Sequence, residues 1–310
     1  MNFDHCVPRE SVHKSADAEV QLTDAARLDD GRFAVAAVWR RDHYLGHHGG
    51  PVSDPVLLAE TARQAAIHLS HRFFGVPSGQ TFVLSHLSVD LLEALPPVGD
   101  EHLAVRLDVA CRRPAEGARR LRLELNADVW IRHRLRARVR VCWEPMEPRR
   151  YALLRGRGAR EATALSACPE PSRVRLSPTQ VGHLVERDVL VDADPLRANS
   201  WWLRLDQEHP VLFDHESDHV PGMALVEAFR QAGRVAAGDG RPGASGVTLL
   251  AVEFTAFGEL DAPVSITVES VCPDGTIFGF RAHQGGREIA HARVRCGAKA
   301  PVRARMGVAC

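Results

Sequence analysis

Lysine is nearly missing from this chain. Of its 39 basic side chains only Lys14 and Lys299 are lysines, a bias toward arginine that reads as the codon habit of a GC-rich genome more than as chemistry. An excess of one charge is missing too. The 39 basic side chains meet 39 acidic ones and the pI is near 7.3, so no global field draws the chain to nucleic acid or to an anionic membrane. No helix-turn-helix segment is recognisable. No uncharged run approaches the ~18 residues of a membrane span, and MNFDHCVPRE at the start has no apolar leader core. The seven cysteines (6, 111, 142, 168, 272, 296, 310) are odd in number, scattered, and never in C-x-x-C. That pattern excludes a disulfide framework and a structural zinc site, and a reduced cytoplasm is the expected compartment. The basic run RHRLRARVR over 132–140 alternates arginine with apolar residues, as a strand with one solvated face does.

What the chain does have is a repeat. A shift of 167 residues lays DPVLLAETARQAA (54–66) on VPGMALVEAFRQAG (220–233), so that Glu60, Arg63 and Gln64 fall on Glu227, Arg230 and Gln231. The same register lays TFVLSHLSVDL (81–91) on TLLAVEFTAFG (248–258) and His48 on His215. Two homologous domains follow, 1–148 and 172–298, with a Pro-, Gly- and Arg-rich linker over 149–171 and a tail over 299–310. In each copy strand-like segments (Val20–Thr23 and Phe33–Trp39; Val189–Asp192 and Trp201–Leu205) lead through a His-rich loop into one helix, Val56–Phe74 or Met223–Ala237. Alternating strands come after it. One nearly all-apolar helix among about five strands predicts an α+β domain in which an antiparallel sheet wraps a central helix.

Two motifs point elsewhere and their contexts reject them. His215, Glu216 and His219 spell H-E-x-x-H, which binds zinc only on a helix. Pro210, Pro221 and the helix-competing Asp214, Ser217 and Asp218 predict a loop there, with a helix starting near Pro221. The glycine string G-D-G-R-P-G over 238–243 follows a helix and carries a proline where a phosphate-binding helix would start. No metal and no cofactor are expected.

Glu60, Arg63 and Gln64 share a helix face, as do Glu227, Arg230 and Gln231. One reading is an ion pair anchoring helix to sheet. The other is a reaction site, since charges on a buried helix cost several kcal/mol to desolvate. HPVLFDH followed by DHVPGMALVEAFRQA resembles a shortened form of the motif of hotdog-fold β-hydroxyacyl-ACP dehydratases. The doubled E-x-x-R-Q-A, with VHKSADAEVQLTD near the start, resembles more closely the A-factor synthase (AfsA-type) family of autoregulator biosynthesis proteins, over nearly the whole chain.

That resemblance implies two tandem hotdog domains forming a pseudo-dimer, with the H-E-x-x-H an accident of an active-site loop. It also implies an acyltransferase that moves a β-ketoacyl group from acyl carrier protein to the primary hydroxyl of dihydroxyacetone phosphate. The ester closes to a butenolide on the way to a γ-butyrolactone, butenolide or furan signal. His215, Glu60 or Glu227 is suitable as general base, and backbone N–H groups at Gly222 and Met223 as the oxyanion site. Arg63 and Arg230 suit a phosphate, with Gln64, Gln231, Asp218, His219 and His43 as further substrate contacts. The first copy lacks the glycine at its helix start, which predicts a dead oxyanion site there. In its loop DHYLGHHGG either His43 or His48 holds the functional position. Dehydratase-type dimers pair the loop histidine of one subunit with the helix acid of the other, so His215 would face Glu60, and His43 or His48 would face Glu227. Same-domain pairing stays open, as does a monomer or a homodimer. An acyl-ACP dehydratase or thioesterase and a non-catalytic signal-binding protein are the alternatives.

Overall fold

The central helix of each copy starts at or just after a proline, but the two are capped differently. The computed structural model describes residues 1–112, 120–165, 170–238 and 246–297; the glycine string beyond Gly238, Cys168, Cys310, residues 166–169 of the linker and the 299–310 tail lie outside the described residues. In chain order the first copy forms β1 (Leu22–Asp29), β2 (Arg32–Trp39), α1 (Pro55–Phe74), β3 (Thr81–Leu91), β4 (Leu103–Arg112), β5 (Leu123–Ile131) and β6 (Arg134–Met146). A linker helix α2 (Pro148–Leu165) and a one-turn helix α3 (Pro178–Val181) lead to β7 (Val191–Ala193), β8 (Ser200–Leu203), α4 (Gly222–Ala236), β9 (Val247–Phe254), β10 (Ser265–Val271), β11 (Ile277–Gln284) and β12 (Arg287–Cys296).

Proline pre-sets the helical φ at the first position of α1, and Asp54 accepts from the Val56 N–H at 3.1 Å. Gly75, at φ 67°, ends that helix. Only Arg63, His71, Arg72 and Phe73 of α1 keep any appreciable exposure. α4 has Pro221 at its cap position and no capping side chain, so its first N–H groups lack the acceptor that Asp54 supplies to α1.

The strands form one antiparallel sheet of twelve, in the order β1-β2-β4-β5-β6-β3-β9-β12-β11-β10-β8-β7. Each half runs through the same sequence of counterparts from its edge to its centre, and each wraps its own helix, α1 against β3 and β6, α4 against β9 and β12. Among the described residues six strands form per copy rather than about five: the two expected before each helix, and four after it. Within the sheet the halves join at β3 and β9, where His86 stands opposite Glu253. Those two residues are 167 apart, so they are counterparts of each other and the dyad of the repeat passes between them. The arginine-rich run behaves as expected: Arg138 and Arg140 of β6 are exposed while Ala137, Val139 and Val141 are buried. Arg132 and His133 make its hairpin turn, both at positive φ. Cys6, Cys111, Cys142, Cys272 and Cys296 are free thiols.

Candidate active site

Two cations from different parts of the first copy meet on one carboxylate. Glu60 is completely buried. Arg63 donates Nε to its Oε2 at 2.8 Å and Nη2 to its Oε1 at 2.9 Å, Gln64 Nε2 adds a bond of 2.9 Å, and Lys14 Nζ lies 3.2 Å from Oε1. Burial opposes this charge, yet Arg63, Lys14 and the Gln64 bond outweigh it and hold the Glu60 pKa well below the usual carboxylate range. A carboxylate so held is a poor proton acceptor and a good anchor for cations. Gln64 has a second duty, donating to the Glu19 carbonyl at 2.8 Å and accepting from the Gln21 N–H at 2.9 Å, which ties the helix to the segment entering β1.

A cavity of about 1670 Å³ opens beside these cations. It is built by both copies. His13, Lys14, Tyr44 and Arg63 come from the first, and His215, Pro221, Gly222 and Met223 from the second. Asp214 joins them, its carboxylate accepting from the Ser15 and Ala16 N–H groups at 2.8 and 3.1 Å. His215 is exposed in the cavity, where surrounding protein, then Arg63 and Lys14, lower its pKa. The loop of the second copy therefore reaches the Glu60 cluster of the first, which is the crossed arrangement. The uncapped start of α4 borders the same space. A Cβ at Gly222 would meet Phe254 at 3.5 Å, an ordinary contact, so glycine keeps the approach open without being demanded by the backbone.

The other end of the dyad has the same parts and is filled by them. Glu227 is fully buried; Arg230 Nη2 and Gln231 Nε2 reach it at 2.6 and 2.8 Å, and His183 stands where Lys14 stands, its Nε2 2.7 Å from Glu227 Oε1. Where α4 is open, α1 is plugged by Asp54, whose second oxygen meets His43 Nε2 at 3.1 Å. His43 stacks on His48 at 4.3 Å and packs edge-on to His183 at 4.4 Å. His43 corresponds to His209, not to His215. Each accepts a following N–H at Nδ1 (Leu45, 3.3 Å; Val211, 3.2 Å) and turns Nε2 to a carboxylate (Asp54 and Asp188, both 3.1 Å). His48 is thus the counterpart of His215.

Nitrogens of His43, His48 and His183 lie within 4.8 Å of one another, a spacing that a metal ion could bridge. The ring planes argue against it. Imidazole lone pairs lie in plane, and His43 and His48 stack 18° from parallel, so no point is in plane with both at bonding distance. His183 Nε2 is moreover committed to Glu227, with the Arg230 guanidinium 2.9 Å away. The H-E-x-x-H segment is a loop, as its prolines predict. His219 Nδ1 is held by Asp218 at 2.7 Å and the Tyr151 hydroxyl at 3.2 Å. Asp218 also accepts from Tyr151 at 2.6 Å and from Arg155 Nε at 2.9 Å, while Arg155 grips Glu259 with two bonds of 2.7 Å. Asp218 and His219 line the cavity, and their side chains dock the linker helix.

The A-factor biosynthesis hotdog domain matches the chain over residues 2–146 and again over 167–298. The chain belongs to that family. A 2-oxo-3-(phosphooxy)propyl 3-oxoalkanoate synthase of Streptomyces virginiae is 37% identical over 264 residues, covering 85% of this chain and 87% of the relative. A protein of the same name from Streptomyces griseus is 32% identical over 293 residues, 92% of this chain and 93% of its own. A 12:0-ACP thioesterase from Umbellularia californica shares the fold at a TM-score of 0.51 and 11% identity, over 86% of this chain and 98% of that one. No helix among the described residues is long and apolar enough to cross a membrane.

Sequence reasoning about this member of the A-factor biosynthesis hotdog family missed Lys14 and His183 as partners of the helix acids. Each is far from its glutamate in sequence, but aligning Val12-His13-Lys14 with Val181-Gly182-His183 would have found both. Two histidines beside the cluster carry a prediction. Burial above all lowers His13 and His68 to a pKa of about 4. The unfolded chain takes up these protons near the ordinary value of 6.5, so between that pH and 4 it binds more protons than the folded one, and stability falls with falling pH. The midpoint of thermal unfolding should drop on acidification across this window, and less steeply in His68→Gln; an equal slope in the variant counts against the assignment.

Proposed function

We propose that this chain transfers a β-ketoacyl group from the thioester of an acyl carrier protein to the primary hydroxyl of dihydroxyacetone phosphate, giving the phosphorylated ester that precedes a butenolide. The observation that carries the reading is one cavity with two kinds of electrostatic help at different places. Arg63 and Lys14, held in place by Glu60, suit a phosphate, because guanidinium and ammonium donors make charge-assisted bonds to its oxygens. The uncapped start of α4 suits the oxygen of the thioester as it gains charge, since backbone N–H groups and the helix dipole favour an anion there. The cavity exceeds the ~300–1000 Å³ of common small-ligand sites, which leaves room for an acyl chain beside the triose. The proton of the attacking hydroxyl needs an imidazole, and His215 and His13 both line the space. Glu60 and Glu227 act as anchors in this reading, and the end of the dyad at Glu227 is structural.

Purified protein given a β-ketoacyl-ACP and dihydroxyacetone phosphate should discharge the carrier and yield the phosphorylated ester or its butenolide by mass spectrometry. Discharge at an undiminished rate without the triose phosphate would make the protein a thioesterase instead.

A further inference from the structure

His13 occupies a backbone position that copy two fills with glycine. It ends the 3-10 turn Arg9–Val12 at φ 54°, in the left-handed region. Its counterpart Gly182 ends α3 at φ 78°. The fold wants this conformation twice, and a side chain there crowds the backbone in a way that glycine does not. The imidazole has a partner unique to its own copy. His13 Nε2 lies 2.9 Å from His71 Nε2, and His71 Nδ1 lies 2.8 Å from the Val76 carbonyl oxygen. The position of His71 is taken by Gly238 in the other copy.

These contacts assign the protons. A carbonyl only accepts, so His71 Nδ1 carries hydrogen. In the neutral pair His71 Nε2 is then an acceptor, and the hydrogen between the rings belongs to His13 Nε2. His13 Nδ1 is left with a lone pair, on a ring that lines the cavity and to which the described residues offer no other bond. Phe82 packs edge-on against the same ring at 4.9 Å, and His71 fixes its rotation from behind. This is how a base is oriented by a third group. Among the described residues His215 has no such fixed partner.

We propose that His13 is the proton acceptor of the acyl transfer and that His71 is its positioning residue, an inference that rests on the function proposed above. The triose hydroxyl gives its proton to His13 Nδ1 as its oxygen bonds to the thioester carbon. The tetrahedral species then collapses, the C–S bond breaks with its electron pair on sulfur, and His13 returns the proton to sulfur. Ester and free thiol are the products, and His13 ends neutral. Lys14 and Arg63 beside it, and His71 and His215 facing it, are the charged or titratable groups about this base, and burial above all keeps its resting form neutral.

His13→Gly tests this because it installs the residue that the second copy already uses. Stability should hold or rise, while triose-phosphate-dependent discharge of β-ketoacyl-ACP should fall about 100-fold or more, the scale of a lost general base. Added imidazole should restore part of the rate in this variant and none in His215→Ala. His71→Gln should lower kcat and move the acidic limb of the pH–rate profile with KM for the triose phosphate unchanged. Activity of His13→Gly within threefold of the parent, or rescue by imidazole only in His215→Ala, overturns the assignment in favour of His215. A parent with no triose-dependent activity overturns the function proposed above and this inference with it.

Discussion

Lys14→Met should raise KM for dihydroxyacetone phosphate by roughly 10- to 100-fold and leave the fold intact. Lys14 is buried against Glu60, but Glu60 keeps both Arg63 bonds and the Gln64 bond after the change, so no unpaired buried charge results. The variant therefore separates phosphate binding from folding, which Arg63 variants would not. A hydrogen bond from a charged donor is worth about 1.5–3 kcal/mol, and at 1.4 kcal/mol per decade that gives the quoted range. Unphosphorylated dihydroxyacetone, which makes no use of the cation, should be acylated by parent and variant at the same low rate. Steady-state kinetics with the two acceptors decide the matter. Equal losses for both, or a loss in kcat alone, would move Lys14 from the phosphate to the reacting centre.

The second large effect concerns the two buried acids. Glu227→Gln should destabilise the protein by roughly 3–5 kcal/mol, since it leaves the buried Arg230 guanidinium without its counter-charge, and Glu60→Gln by less, since Arg63 is only partly buried. Their effects on catalysis should part company. Glu60→Gln releases the two cations that border the cavity, so the protein that remains folded loses most of its activity. Glu227→Gln loosens a filled cluster walled off by Asp54, His43 and His183, and the folded fraction should work within about threefold of the parent. Thermal unfolding with activity scaled to folded protein reads both quantities. Full activity in Glu60→Gln and none in Glu227→Gln would place the working site at the wrong end of the dyad.

Much of the architecture was legible because it is written twice. The 167-residue shift sets the first residue of α1, Pro55, on the first of α4, Gly222, and each helix begins and ends within a residue of the bounds read from sequence; the Pro-rich surroundings of His215 correctly argued against a zinc helix. Linker helix α2 was not legible. Its Pro, Gly and Arg content looks like a spacer, and its visible anchors, Arg155 on Glu259 and Tyr151 on Asp218, lie 104 and 67 residues away. Crossed pairing was foreseen only as one option, because nothing local tells whether His215 turns to Glu227 of its own domain or to Glu60 of the other. The roles of Asp54 and Asp218 were hidden for a related reason. A cap and a docking contact depend on what the loop faces, and hydropathy records only that a loop is polar.

The pairing of His86 with Glu253 at the centre of the sheet says something about descent and assembly. In a dimer of identical chains, a residue on the two-fold axis can meet only itself, so a glutamate there would face a glutamate and a histidine a histidine. Here His86 Nδ1 and Glu253 Oε1 are 2.7 Å apart, an opposite-sign contact when the imidazole is protonated, and one that symmetry forbids to a homodimer. Once one chain carried both halves, each position on the axis could change alone. The halves have become keyed to each other: severed copies would prefer the unlike partner, and two second copies would bring two carboxylates together at the seam. The same freedom let one end of the dyad stay hollow while the other was packed shut, a division of labour that no pair of identical subunits can hold.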